Sequence, residues 1–169
     1  TAARMFSRRS FHEVKLDDVA AEAHIGKGTV YIYFKSKEDL YDSLVAEGFD
    51  DLIERLGQLS EVKDRLAWET LESMICELVK WAQGNPQFFD MMRQASAEQV
   101  PKLRRKRREL GKVFESVLIE GNRRSEITDP MPELTAQFIP AFVRSALRYG
   151  PGSLPPKKLT AHIVHILGQ

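Results

Sequence analysis

Apolar residues recur at steps of three and four along most of this chain, the period of helices that bury one face. Leu40, Leu44, Val45, Phe49, Leu52, Ile53, Leu56 and Leu59 keep that step from Lys37 to Ser60 and predict one long amphipathic helix. A second helix is expected over residues 64–83, with Leu71, Met74, Ile75, Leu78, Val79 and Ala82 inward and Gly84-Asn85-Pro86 as its stop. Phe88, Phe89, Met91 and Met92 fall on a short helix after that stop. From about Pro101 a long helix carries Leu103, Leu110, Val113, Phe114, Val117 and Leu118 and closes over residues 121–129. Two more helices are predicted over 132–149 and 156–167, separated by the breaker run Gly150-Pro151-Gly152-Ser153-Leu154-Pro155. The fold class is therefore all-α.

Ahead of Lys37 the periodic segments are short. Leu16, Val19, Ala20 and Ala23 predict a helix over 16–23, and a few residues later Ile25-Gly26-Lys27-Gly28-Thr29-Val30-Tyr31-Ile32-Tyr33-Phe34 opens another. Gly26 and Gly28 lack a Cβ, so the backbone can turn there and another surface can come close. Val30 and Phe34 share one face, which leaves Lys27, Thr29, Tyr31 and Tyr33 to point elsewhere. Two short helices joined by a tight turn make a helix-turn-helix. Phe11 is placed to close a small three-helix core with Met5 and Phe6, and residues 1–6 read as the end of a helix already under way, N-terminally truncated in this sequence. Ser36, followed by Glu38 and Asp39, is a plausible N-cap for the long helix.

The run from Phe11 to Leu40, with Asp18-Val19-Ala20, Lys27-Gly28-Thr29-Val30-Tyr31-Ile32-Tyr33-Phe34 and Ser36-Lys37-Glu38-Asp39-Leu40, resembles the DNA-binding head of the tetracycline-repressor (TetR) family of bacterial regulators. That family usually carries Gly where His24 stands and Ser or a similar cap where Gly26 stands. The resemblance implies a helix-turn-helix DNA-binding domain over residues 1–46 and a ligand-binding and dimerisation domain over 47–169. It places Lys27, Gly28, Thr29, Ile32 and Tyr33 toward the major groove of an operator duplex and gives Tyr31 and Lys37 to phosphates. Lys15, at the entry to the first helix of the motif, is a further phosphate candidate.

Charge distribution agrees with that division although the net charge is only +1. Residues 1–37 hold seven Lys/Arg against four Asp/Glu, whereas residues 38–100 hold five against fourteen. The acidic middle repels phosphate, so nucleic acid is expected to meet the first forty or so residues. The basic run Lys102-Leu103-Arg104-Arg105-Lys106-Arg107-Arg108 reads as a polar helix side offset by the acidic middle, with an auxiliary DNA-facing patch as the alternative. A hydrophobic content of 43% supports a real core, and with no run of 18 apolar residues and no signal-peptide pattern the expected location is cytoplasmic. The single Cys76 excludes an intramolecular disulfide and reads as a small buried apolar residue.

In the last two helices Leu134, Phe138, Ile139, Phe142, Val143, Ala146 and Leu147 cover more than one face of the first, and Leu159, Ile163, Ile166 and Leu167 line the second. A helix apolar on two sides needs two partners. A homodimer through helices 132–149 and 156–167 supplies the second, as the resemblance also implies. Pro140, inside the first, is expected to bend it. Trp68, Met74, Trp81, Phe88, Met91, Met92, Phe114, Phe138 and Phe142 are candidates to line a cavity for a small apolar or aromatic effector, the plain alternative being packed core. His162 and His165 read as a packed or solvated pair, and neither a metal nor a cofactor is expected.

An enzyme is the competing class. The chain has no phosphate-binding Gly loop and no Ser or Cys nucleophile signature, and acids such as Glu72 and Glu77 would have to meet in a cavity to act. An architectural DNA-binding protein without an effector is the other alternative. The expectation is a homodimeric transcriptional regulator, a repressor released from its operator by a small molecule.

Overall fold

The computed structural model describes residues 1–62, 64–95, 97, 99–150 and 154–168. Among them all regular structure is helical: α1 (Ala2–Arg8), a 3-10 turn (Phe11–Glu13), α2 (Leu16–Glu22), α3 (Lys27–Tyr33), α4 (Lys37–Ser60), α5 (Ala67–Gly84), α6 (Pro86–Arg93), α7 (Val100–Arg123), α8 (Pro132–Tyr149) and α9 (Pro156–Ile166). The start of α4 is capped as its sequence suggests, the Ser36 hydroxyl accepting the Asp39 amide at 3.2 Å. The start of α5 falls three residues later than the apolar period implies. Asp64 adopts a left-handed conformation with φ 61°, which a helix cannot contain. Two glutamates then take the first free amides, Glu69 from Leu66 at 3.2 Å and Glu126 from Ala67 at 2.7 Å. Of the predicted breaker run, Gly150 closes α8 by donating to the Ala146 carbonyl at 2.9 Å, and residues 151–153 lie outside the described residues. α8 itself continues through Pro140.

The described residues form two compact units. The first joins Thr1–Phe49 with Asn85–Lys106. Phe6 and Phe11 stack at 5.8 Å, and the Tyr41 ring meets both edge-on at 5.3 and 5.4 Å. All three are buried, and this aromatic knot holds α1, the 3-10 turn and α4 together. The buried Tyr41 hydroxyl donates to the Met91 carbonyl of α6 at 3.2 Å, and α6 packs on α1. Phe88 of α6 enters α4 at Gly48, where a Cβ would stand 2.2 Å from the ring. The ring also meets Phe49 edge-on at 5.4 Å. Lys102, the first cation of the basic run, pairs with Asp42 of α4.

The second unit joins Asp50–Gly84 with Arg107–Gln169. Its centre is α5, whose Leu71, Met74, Ile75, Leu78 and Val79 are buried, with α8 and α9 packed on it. The Trp81 indole donates to Asp51 Oδ2 at 2.7 Å, and Arg55 joins Asp51 at 2.9 Å and Glu77 at 3.6 Å. The Trp81 hydrogen bond, followed by that from Arg55, holds the Asp51 carboxyl below the ordinary carboxylate range. Cys76 is half-buried, because it sits at the side of α5 and not on its inward face. On α8, Ala136, Ile139 and Val143 turn inward while Phe138 remains 59% exposed. On α9, Leu159 and Ile163 turn inward while Ile166 remains 54% exposed. No helix among the described residues is long and apolar enough to cross a membrane.

Candidate nucleic-acid interface

The turn between α2 and α3 is built by backbone hydrogen bonds that place a left-handed residue at its centre. The His24 amide donates to Ala21 at 3.2 Å and the Ile25 amide to Ala20 at 3.0 Å, a Schellman closure of α2. The left-handed position is His24, with φ 56°, where the TetR pattern has Gly. Gly26 is instead an extended N-cap with φ −64°, so the turn does not rest on its freedom. What Gly26 and Gly28 contribute is open surface: a Cβ on Gly28 would meet nothing within 4 Å.

From this turn α3 projects one anchor and several free groups. Val30 alone is fully buried. Lys27, Gly28 and Thr29 are exposed, and so are Tyr31, Ile32 and Tyr33, at 52%, 80% and 73%. Three large apolar or aromatic side chains in the open on a seven-residue helix mark a contact surface rather than a packed one. Lys15 lies exposed at the N-cap of α2. Lys37 is less free, since its ammonium donates to the carbonyls of Phe11 and His12 at 3.1 and 3.2 Å and sits 4.7 Å from the centre of the Phe11 ring. It closes the 3-10 turn onto α4, and of its three donors one is left for another acceptor.

Sequence reasoning missed Asp17. Its carboxylate takes Lys27 Nζ at 2.7 Å and the Tyr31 hydroxyl at 3.3 Å, so one acid of α2 holds two side chains of α3. The hydrogen bond from Lys27 keeps the Asp17 carboxyl below its ordinary range, and the same bond pushes the Lys27 ammonium up. Ten residues separate the pair in sequence, and only the angle between the two helices brings them together.

The effector candidates are divided between the two units. Met74 and Phe114 are fully buried in the second unit, Trp81 is tied to Asp51, and the half-buried Trp68 has a buried indole N–H with no partner among the described residues. Phe88, Met91 and Met92 belong to the first unit and pack there. Phe138 and Phe142 lie at the surface of α8. No group of three or more His, Cys, Asp or Glu is placed to hold a metal among the described residues.

A three-helix head that presents one short polar-aromatic helix, joined through a long helix to an all-helical body, defines a helix-turn-helix DNA-binding regulator. Residues 1–44 match the model of the bacterial regulatory proteins of the tetR family. Over 133 residues the chain is 26% identical to the fatty acid metabolism regulator protein of Bacillus subtilis, an alignment covering 76% of this chain and 68% of that protein. A bacterial regulatory protein in the tetR family from Rhodococcus shares the fold, with a TM-score of 0.82 at 22% identity over 98% of this chain and 90% of that one. The Bacillus subtilis regulator FadR, solved in complex with stearoyl-CoA, shares it with a TM-score of 0.83 at 22% identity over 98% and 94%. The first 44 residues thus match the DNA-binding head of the bacterial tetR-family regulators, and the chain as a whole shares the fold of solved members of that family.

Proposed function

We propose that this protein is a homodimeric one-component repressor that leaves its operator when a long-chain acyl thioester enters its body. The observation that carries the DNA half of this reading is α3, anchored by Val30 alone and presenting Lys27, Gly28, Thr29, Ile32 and Tyr33 toward base edges. Lys15, Tyr31 and Lys37 flank that face as phosphate contacts, with residues 1–46 acting as the DNA-binding domain and 47–169 as the sensing and dimerising domain. The exposed Phe138 and Phe142 of α8 and Ile166 of α9 form the dimer seam, which sets the spacing of two half-sites. For the effector, support comes from the relative named as a fatty acid metabolism regulator and from the structural neighbour bound to stearoyl-CoA. The unpartnered Trp68 indole N–H is a donor suited to a polar group of such a molecule, and the same unit holds the buried apolar side chains of Met74 and Phe114.

Release is a coupling free energy: the effector must favour the DNA-incompetent state by about 1–3 kcal/mol, a factor of roughly 5–150 in operator affinity. The test is to sequence the fragments of the encoding genome that the purified protein retains and then titrate stearoyl-CoA onto the enriched duplex. The expected result is a two-half-site duplex released by stearoyl-CoA and not by free coenzyme A. Failure to enrich any duplex would overturn the regulator, while an enriched duplex indifferent to stearoyl-CoA would overturn only the acyl effector.

A further inference from the structure

We propose that Asp17 is a specificity-determining residue that withholds Lys27 and Tyr31 from random DNA. This rests on the reading of α3 as the DNA-facing helix. The carboxylate occupies both side chains at once, at 2.7 Å from the Lys27 ammonium and 3.3 Å from the Tyr31 hydroxyl, on a surface where the acid is 42% and the lysine 68% exposed. Binding to random DNA is nearly all phosphate electrostatics and counterion release. A lysine already neutralised by a carboxylate adds little to it, and the carboxylate itself faces the approaching phosphates.

On the cognate site the same contact acts in the opposite direction. Lys27 is a long side chain with large rotamer freedom, and an anchored ammonium loses less of that freedom on binding. Asp17 fixes where the Lys27 and Tyr31 donors stand before DNA arrives, so their geometry is ready when Ile32 and Tyr33 reach base edges. One acid thus weakens the unspecific mode and prepares the specific one. Its neighbour Asp18 is exposed and also attracts Lys27, but it makes no hydrogen bond to it, which provides a matched control.

The experiment measures affinity against salt concentration on a random-sequence duplex and on the duplex enriched by the genomic selection. For Asp17→Asn the proposal expects tighter binding to random DNA, with the log–log salt slope steeper by about 0.9 as Lys27 gains a phosphate. Affinity for the enriched duplex should stay level or fall, so the specificity ratio drops. Asp18→Asn should tighten both duplexes alike and leave the ratio unchanged. Lys27→Met, a second variant independent of any change at Asp17, should leave the random-DNA slope as in the wild type. An unchanged slope and ratio in Asp17→Asn, or a slope shallower by about 0.9 in Lys27→Met, overturns the proposal while leaving the regulator intact. A wild type that binds neither duplex removes both.

Discussion

Substituting the two glycines of α4 by alanine should move stability in opposite directions. Alanine in a helix interior is worth roughly 0.5–1 kcal/mol over glycine, because it restricts the unfolded chain. At Gly57 nothing lies within 4 Å of the added methyl, so Gly57→Ala should realise that gain. At Gly48 the methyl would meet three atoms of the Phe88 ring at 2.2, 2.8 and 2.9 Å. The ring cannot swing freely, since Phe49 and Phe89 meet it edge-on at 5.4 and 5.9 Å. Overpacking of this kind costs about 1–3 kcal/mol, so after the helix gain Gly48→Ala should lose about 0–2 kcal/mol. Urea unfolding followed by far-ultraviolet circular dichroism, at one fixed protein concentration, gives the comparison. Adding Phe88→Ala should abolish the Gly48→Ala penalty, a non-additivity of about 0.5–3 kcal/mol expected of residues in contact. A Gly48→Ala protein as stable as Gly57→Ala would refute the reasoning, for it would mean that α6 does not seat in α4.

Phe138→Glu should yield monomers in analytical ultracentrifugation with a fold stability changed by less than about 0.5 kcal/mol per monomer, whereas Ile163→Glu, which buries its charge, should lose roughly 3–5 kcal/mol. Unfolding of the exposed-site variant would show that α8 does not present a free face. Because the folded Asp51 carboxyl lies below its ordinary 3.8, its contact with Trp81 and Arg55 stabilises the fold above that value and fades as pH falls through the folded one. The urea midpoints of wild type and Asp51→Asn should therefore differ near neutral pH and converge in acid, and a constant gap would contradict this. His24→Gly should raise stability by up to about 1 kcal/mol, since φ 56° burdens a residue with a Cβ. A loss measured by the same unfolding experiment would mean that the imidazole makes a contribution the backbone geometry does not reveal.

Much of this fold was legible because amphipathic helices announce their own length. The step of three and four over 37–60 matches α4 residue for residue, and Asn85-Pro86 marks the break before α6. The failure at Asp64 has a local cause, a left-handed residue inside an otherwise periodic stretch. Periodicity says that a face is buried and not against what. It named Phe88, Met91 and Met92 without indicating that α6 packs on α1, and it gave Phe138 an apolar role without indicating that its side chain faces outward. In the head the exposed side chains of α3 could be read from one buried position, Val30. Asp17 could not, because a contact between helices ten residues apart depends on their crossing angle, which no local pattern encodes.

The docking of α6 beside α1 also bears on how the chain is made. The first unit draws on two stretches separated by the whole of α5, so its last pieces emerge from the ribosome long after its first. At about 5–20 residues per second, the roughly forty residues between Phe49 and Met91 take about 2–8 s to synthesise. Throughout that interval the notch at Gly48 has no Phe88 to fill it, and the Tyr41 hydroxyl has no Met91 carbonyl to bind. The nascent head is thus a natural client for a chaperone that waits at the tunnel exit, and a message broken between those codons leaves a fragment with the reading helix but without its buttress.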